Sequence, residues 1–300
     1  MKIGREVVTQ STDAAEIVEL RNKAPDTKET MEIGRDWDET WRNHWPQESD
    51  APGFRQTMMD FFKVRSAHRY IRFPTHDNKQ TCHETHSIVM RAIALGLDLD
   101  EMFFEDKINE QYHNLRLLSY PPIKTSLLKQ GQSRAGAHSG VFRSRSDSGK
   151  VVMTRASVDY GTLTLLFQDN VGGLEVQNPH TEHFQPAKPI VCLVLHLGKR
   201  PTEHRVFEPG TIVVNSGDLL ARWSNDILRS TLHRVVAPPA ESANADGMTP
   251  HRQSIAFFCN PNGGAKISCL PSCHRPGYEA KYAPITTEEY IVGRLADTYN

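Results

Sequence analysis

From Leu115 to Cys259 the apolar residues recur at alternate positions in short runs, and Gly, Pro, Asn and Asp separate those runs. Alternation of this kind belongs to strands with one buried face. The runs are Leu115–Tyr120, Gly161–Asp169, Gly173–Gln177, Gly210–Val214, Ser230–Val236 and Arg252–Cys259. Pro121-Pro122 closes the first, because proline has no N–H to give to a strand ladder. So many short strands predict an antiparallel sandwich or barrel of the jelly-roll type. The expected fold class is mainly β with flanking helices.

The rest of the chain reads as helix around this core. Acidic residues alternate with Trp37, Trp41 and Trp45 in a polar stretch, predicting an irregular segment held to the core by its rings. Gly53–Phe62 reads as a short helix, and Thr81–Leu97 as a stronger one whose apolar side carries Val89, Met90, Ile93, Leu95 and Leu97. His83-Glu84-Thr85-His86 resembles a zinc-protease motif but has one residue too few between its histidines, so it reads as helix surface. Thr286-Thr287-Glu288-Glu289 is a capping box opening a last helix to about Tyr299. A division follows into an N-terminal helical region, 1–110, and a jelly-roll domain, 111–300.

Composition excludes several classes. Lys+Arg 35 against Asp+Glu 36 gives a net charge of -1, which argues against nucleic acid as a partner. No apolar run is long enough for a membrane span, and Met1–Glu6 lacks a signal-peptide core, so a cytoplasmic protein is expected. Five cysteines are too few and too scattered for a disulfide framework. Cys269 and Cys273 lack the second cysteine pair of a zinc site, and His180 and His183 read as a hairpin loop.

Three segments interrupt this plan: 64–80, 140–158 and 191–208. Each reads poorly, and its neighbours join well without it. Removing the second brings Gly136-Ala137-His138-Ser139 directly against Asp159-Tyr160-Gly161, giving His138-x-Asp159. Residues two apart on a strand share a face, so both side chains reach one metal. The segments begin with Val or Gly-Val and end at residues whose codons permit splice signals. We read them as short introns translated through, with tolerated surface loops as the alternative. Mature mRNA carrying all three segments would refute the intron reading.

Beyond Asp159 come His233-Arg234-Val235-Val236 and Arg252-Gln253-Ser254. Two histidines and a carboxylate on one side of a metal suit oxygen-activating Fe(II). With Asn114–Pro121, Gly172–Val176, Asn215-Ser216-Gly217-Asp218 and Tyr282–Ile285, these residues carry a resemblance to the fungal members of the isopenicillin N synthase-like group of 2-oxoglutarate- and Fe(II)-dependent dioxygenases. It covers roughly residues 20–300 outside the inserts. Two departures stand out. The group has a strand-and-helix region upstream of Met1 here, so an N-terminal portion is expected to be missing. Leu118 stands where the group's Asn-x-Tyr element has Asn, while Tyr120 matches.

The resemblance implies a double-stranded β-helix with His138, Asp159 and His233 as the metal ligands. It implies Fe(II), 2-oxoglutarate and O2 as cofactor and cosubstrates, and a small organic molecule that is hydroxylated, desaturated or cyclised, with succinate and CO2 released. Arg252 offers a permanently charged fork for the distal carboxylate of 2-oxoglutarate, Ser254 adds a hydroxyl from the same strand face, and Tyr120 is a candidate wall of that pocket. Two alternatives stay open: an iron oxidase of the same fold that does not use 2-oxoglutarate, and an inactive jelly-roll remnant, expected from the split His-x-Asp pair and the missing N-terminal portion.

Overall fold

The computed structural model describes residues 28–62, 82–127, 141–145, 151–155, 159–178, 180–181, 183–187, 212–230, 232–237, 243–274 and 276–299. His138 and the segments 64–80 and 191–208 lie outside them. Within 140–158 the described residues are two strands, β3 (Val141–Arg145) and β4 (Val151–Arg155), paired antiparallel with each other.

Two antiparallel sheets make the jelly roll. The larger has five strands in the order β1-β2-β10-β5-β8, from β1 (Glu29–Ile33), β2 (Asn114–Tyr120), β5 (Leu163–Gln168), β8 (Val213–Ser216) and β10 (Arg252–Cys259). The smaller has the order β7-β6-β9, from β6 (Leu174–Gln177), β7 (Phe184–Pro186) and β9 (His233–Val235). Every strand run predicted from the alternation is present, with ends shifted by a few residues. β1 was not expected. It lies inside the region read as helical and pairs with β2 from Glu29↔Ser119 to Ile33↔Leu115.

Alternation gives the large sheet two different faces. Ile33, Leu115, Leu165, Phe257 and Cys259 are fully buried on one, beneath helices α1 (Phe54–Phe62) and α2 (Cys82–Gly96). Phe61 and Phe62 of α1 seal this layer, edge-on to Phe167 at 5.2 Å and to Phe257 at 5.5 Å. The opposite face carries Tyr120, Arg252 and Ser254, all buried, and Tyr120 clusters with Leu174 and Val235 of the small sheet. Leu118 packs against that same apolar cluster, which accommodates a leucine at the position where the related group has a polar residue.

The helices differ from expectation in two respects. Met90 and Ala94 form the buried stripe of α2, with Val89 and Ile93 beside it, but Leu95 points to solvent and is 59% exposed. His86 is not surface: it is fully buried, and His113, just before β2, is nearly so. The short α3 (Glu105–Ile108) leads toward β2, and Phe104 before it packs on Trp223, centroids 5.1 Å apart, at the end of α4 (Asp218–Trp223). Strands β11 (Lys266–Ile267) and β12 (Ile285–Thr286) form a two-stranded ladder before α5 (Thr287–Tyr299). The capping box forms as read. The Thr286 N–H donates to Glu289 Oε2 at 3.0 Å, and the Glu289 N–H donates to Thr286 Oγ1 at 3.2 Å. Of the tryptophans in the acidic stretch, Trp45 is anchored through Nε1–H to Asp36 at 2.9 Å, whereas Trp37 and Trp41 stay 49% and 40% exposed. Asn178 and His183 close the β6–β7 hairpin by a backbone bond of 2.9 Å, so His180 and His183 lie in a hairpin loop as expected.

Burial holds His86 and His113 neutral. Desolvation lowers His86 to about 3 from 6.5 and puts His113 well below its usual value, with neighbouring histidines and, for His113, Arg35 adding to the effect. His83 is lowered by desolvation too, opposed by Glu105 and Glu84. A depressed folded-state value means that the unfolded chain binds the extra protons. Stability is therefore intact above pH 6.5 and is lost as pH falls from there toward about 3. Each fully depressed histidine costs about 1.4 kcal/mol once the pH is one unit below its unfolded value. Urea unfolding of the chelator-treated chain should show a falling midpoint between pH 7 and 5.5; a flat midpoint would contradict this burial.

Candidate functional site

The site sits at the two ends of the space between the sheets. At one end lies Asp159, buried, in the turn that enters β5. Helix α4 fixes that turn. The Asp218 N–H donates to Asp159 O at 2.8 Å, Gly217 N–H to Thr162 O at 2.9 Å, and Leu219 N–H to Tyr160 O at 3.1 Å. The first-turn N–H groups of a helix have no partner within it, so backbone carbonyls of the turn satisfy them. The approach is close enough to require glycine. A Cβ on Gly217 would stand 2.4 Å from Gly161 O and 2.8 Å from Asp159 O. Gly217→Ala should destabilise the chain by about 1–3 kcal/mol through overpacking. Urea denaturation reads this, and an unchanged midpoint would mean that the turn yields freely.

Among the described residues the carboxylate is hydrogen-bonded through one oxygen only. Asn215 Nδ2 donates to Asp159 Oδ2 at 2.8 Å. Oδ1 faces His233 Nε2 across 3.8 Å, too long for a hydrogen bond. Two donors that each sit about 2.1 Å from one cation lie roughly 3–4 Å apart. Asp159 and His233 thus converge as a pair of metal ligands would. His138, the third residue expected here, is outside the described residues.

At the other end Arg252 is 2% exposed. Its Nε–H donates to Gly172 O at 2.7 Å, Nη1–H to Ser254 Oγ at 3.1 Å and Nη2–H to Gln168 Oε1 at 3.1 Å. The guanidinium carbon stands 4.9 Å from the centre of the Tyr120 ring, directly across the β2–β10 ladder. Among the described residues no carboxylate pairs with this buried cation. Gln168 Nε2 beside it is buried with no hydrogen-bond partner among the described residues. Gly172 and Gly173 both take positive φ, 81° and 87°, and this turn presents the Gly172 carbonyl to Arg252.

Four of the residues expected from sequence, Tyr120, Arg252, Ser254 and Asp159, are therefore buried, and His233 is half-buried beside Asp159. Asn215, Gln168 and Gly172 were missed as partners. Strand register was the signal that could have found the first two: Asn215 stands opposite Thr164 and Gln168 opposite Ser254. Cys269 and Cys273 stay free thiols near α4 and take no part.

Comparison with known proteins agrees with this geometry. Residues 113–261 match the family model of the 2OG-Fe(II) oxygenase superfamily. A 2-oxoglutarate-Fe(II) type oxidoreductase, ppzD, of Metarhizium majus is 32% identical over 273 residues, 91% of this chain and 62% of its own length. The chain thus spans about six-tenths of that relative. The proline hydroxylase buaE of Petromyces alliaceus is 32% identical over 91% of this chain and 69% of its own length. Among solved structures, a full-length Neurospora crassa protein crystallised in complex with alpha-KG superposes with a TM-score of 0.69 at 39% identity, covering 100% of this chain and 73% of that one. The chain belongs to the 2OG-Fe(II) oxygenase superfamily.

Proposed function

We propose that the chain is a non-haem Fe(II)- and 2-oxoglutarate-dependent dioxygenase that oxidises a small organic molecule and releases succinate and CO2. The observation that carries this is Arg252, a buried guanidinium that meets only neutral oxygens among the described residues. Burying a cation without an anion is costly, and here the fork keeps donors to spare. A carboxylate arriving at Arg252, Ser254 and the orphan Gln168 amide supplies the missing charge. The Neurospora crassa relative crystallised with alpha-KG supports the same ligand class.

The donor set at Asp159 and His233 fits Fe(II): one carboxylate oxygen and one imidazole nitrogen face each other, with the second carboxylate oxygen already occupied by Asn215. His138 is the third ligand in this reading. When bound, iron with 2-oxoglutarate supplies O2 activation for attack on a C–H bond. The chain's own residues bind and orient. Asn215 turns Oδ1 of Asp159 toward His233. Arg252 and Ser254 anchor the far end of the cosubstrate, while Tyr120, Leu118, Leu166, Leu174 and Val235 keep its surroundings apolar and short of water. Hydroxylation, desaturation and ring closure are all compatible with this arrangement. A small-molecule substrate agrees with the structure of the same Neurospora crassa protein in complex with alpha-KG and thymine. Among the described residues no helix is long and apolar enough to cross a membrane.

Succinate formation tests the proposal. It should require Fe(II), O2 and 2-oxoglutarate together. Oxygen consumption with substrate but without 2-oxoglutarate would favour the oxidase alternative, in which Arg252 holds a substrate carboxylate. The same assay on a version lacking 64–80, 140–158 and 191–208 reports on His138, because joining His138-Ser139 to Asp159 restores the unsplit motif.

A further inference from the structure

We infer that His83, His86 and His113 form a second metal site, separate from the Asp159–His233 pair, which takes a zinc-like divalent cation and ties helix α2 to the large sheet. One nitrogen from each ring lies within 4.8 Å of the other two. The set contains only imidazoles, which suits zinc, copper or nickel and contrasts with the carboxylate-containing pair at Asp159.

The hydrogen bonds fix where the protons are. Thr162 Oγ1–H donates to Cys259 O at 2.9 Å, so its lone pairs accept from His86 Nε2–H, also at 2.9 Å. The neutral His86 ring therefore carries its proton on Nε2, and Nδ1 is a bare lone pair. That atom is buried and has no partner among the described residues. A fully buried acceptor left without a donor is uncommon and calls for a ligand. On the neighbouring ring, the Asn260 N–H donates to His113 Nδ1 at 3.2 Å, which places that ring's proton on Nε2. His113 Nε2–H in turn points at His83 Nδ1, 2.9 Å away. A cation bound at His113 Nε2 displaces that proton to solvent, and His113 then ligates as an imidazolate whose Nδ1 still accepts from the Asn260 N–H.

Nitrogens on a tetrahedral zinc at about 2.05 Å stand roughly 3.3 Å apart; His83 Nδ1 and His113 Nε2 are 2.9 Å apart, and one nitrogen from each ring falls within 4.8 Å of the others. Desolvation disfavours the imidazolium form of all three rings, so no cationic ring has to be discharged before a metal binds. The thiols of Cys82 and Cys259 are held protonated by burial, Cys82 up to about 12, and so do not compete as thiolates. Glu84 and Glu105 act electrostatically on half-buried His83, which favours positive charge there. A bound cation would clamp His83 and His86 of α2 to His113 at the start of β2.

The test uses the chelator-stripped full chain with Asp159→Ala and His233→Ala, so that the other pair is silent, titrated anaerobically with Co(II) and then competed with Zn(II). One equivalent of Co(II) with the visible bands of a nitrogen-rich, four-coordinate ion is expected. Adding His83→Ala should weaken Zn(II) at least ten-fold. Failure to bind either metal, or binding that ignores His83→Ala, overturns the site. Should the substituted chain not fold, Zn(II) stoichiometry on the unsubstituted chain decides. Two equivalents, one lost with His83→Ala, support the site; one equivalent that survives His83→Ala refutes it.

Discussion

Replacing Arg252 with alanine is expected to weaken 2-oxoglutarate binding on the order of 100-fold, about 3 kcal/mol, the usual cost of removing one member of a buried, hydrogen-bonded charge pair. Three donated bonds, to Gly172 O, Ser254 Oγ and Gln168 Oε1, aim the guanidinium at one place, and the Tyr120 ring stacks behind it. Arg252→Lys separates charge from shape. A lysine keeps the charge but offers no planar fork, so it should recover only part of the affinity. Isothermal titration with 2-oxoglutarate in the presence of Fe(II) measures both. Full affinity in Arg252→Ala would assign the anion to another place.

Asp159→Ala should abolish Fe(II) binding beside His233 at micromolar metal, because among the described residues it removes the one anionic donor facing His233 Nε2. Asn215→Ala should have a graded effect. It leaves the ligand in place but frees Oδ2 and lets the carboxylate rotate away from His233. Loss of such an outer hydrogen bond typically weakens metal binding about 10–100-fold. The order of the two substitutions is the point: Fe(II) affinity should fall far more in Asp159→Ala than in Asn215→Ala, with the unsubstituted chain tightest. Equal affinity across the three would place the metal elsewhere.

The parts of this account that were legible in the sequence are those set by short-range periodicity. Arg252 and Ser254 are two apart on one strand, so their shared face follows from the pleat alone, and β10 runs over the residues the alternation marked. The capping box at Thr286 is equally local. What the sequence hid depends on pairing across strands. Asn215 reaches Asp159 because β8 lies beside β5 in a particular register, and Gln168 reaches Arg252 because β5 lies beside β10. β1 has little apolar alternation of its own and exists by pairing with β2. His86 reads as surface for a related reason: the partners it meets, Thr162, 76 residues away, and His113, are brought to it by the fold. Leu95 erred in the opposite sense, since an apolar residue near the end of α2 overshoots the sheet and meets solvent.

The most direct test is an anaerobic titration of the chain with Fe(II) and 2-oxoglutarate, followed by the visible charge-transfer absorption of the chelate. The account predicts a saturable band at one equivalent of Fe(II), absent in Asp159→Ala and displaced to higher 2-oxoglutarate in Arg252→Ala. No band in this chain or in its version lacking the three interrupting segments would contradict it, as would an undisplaced band in Arg252→Ala.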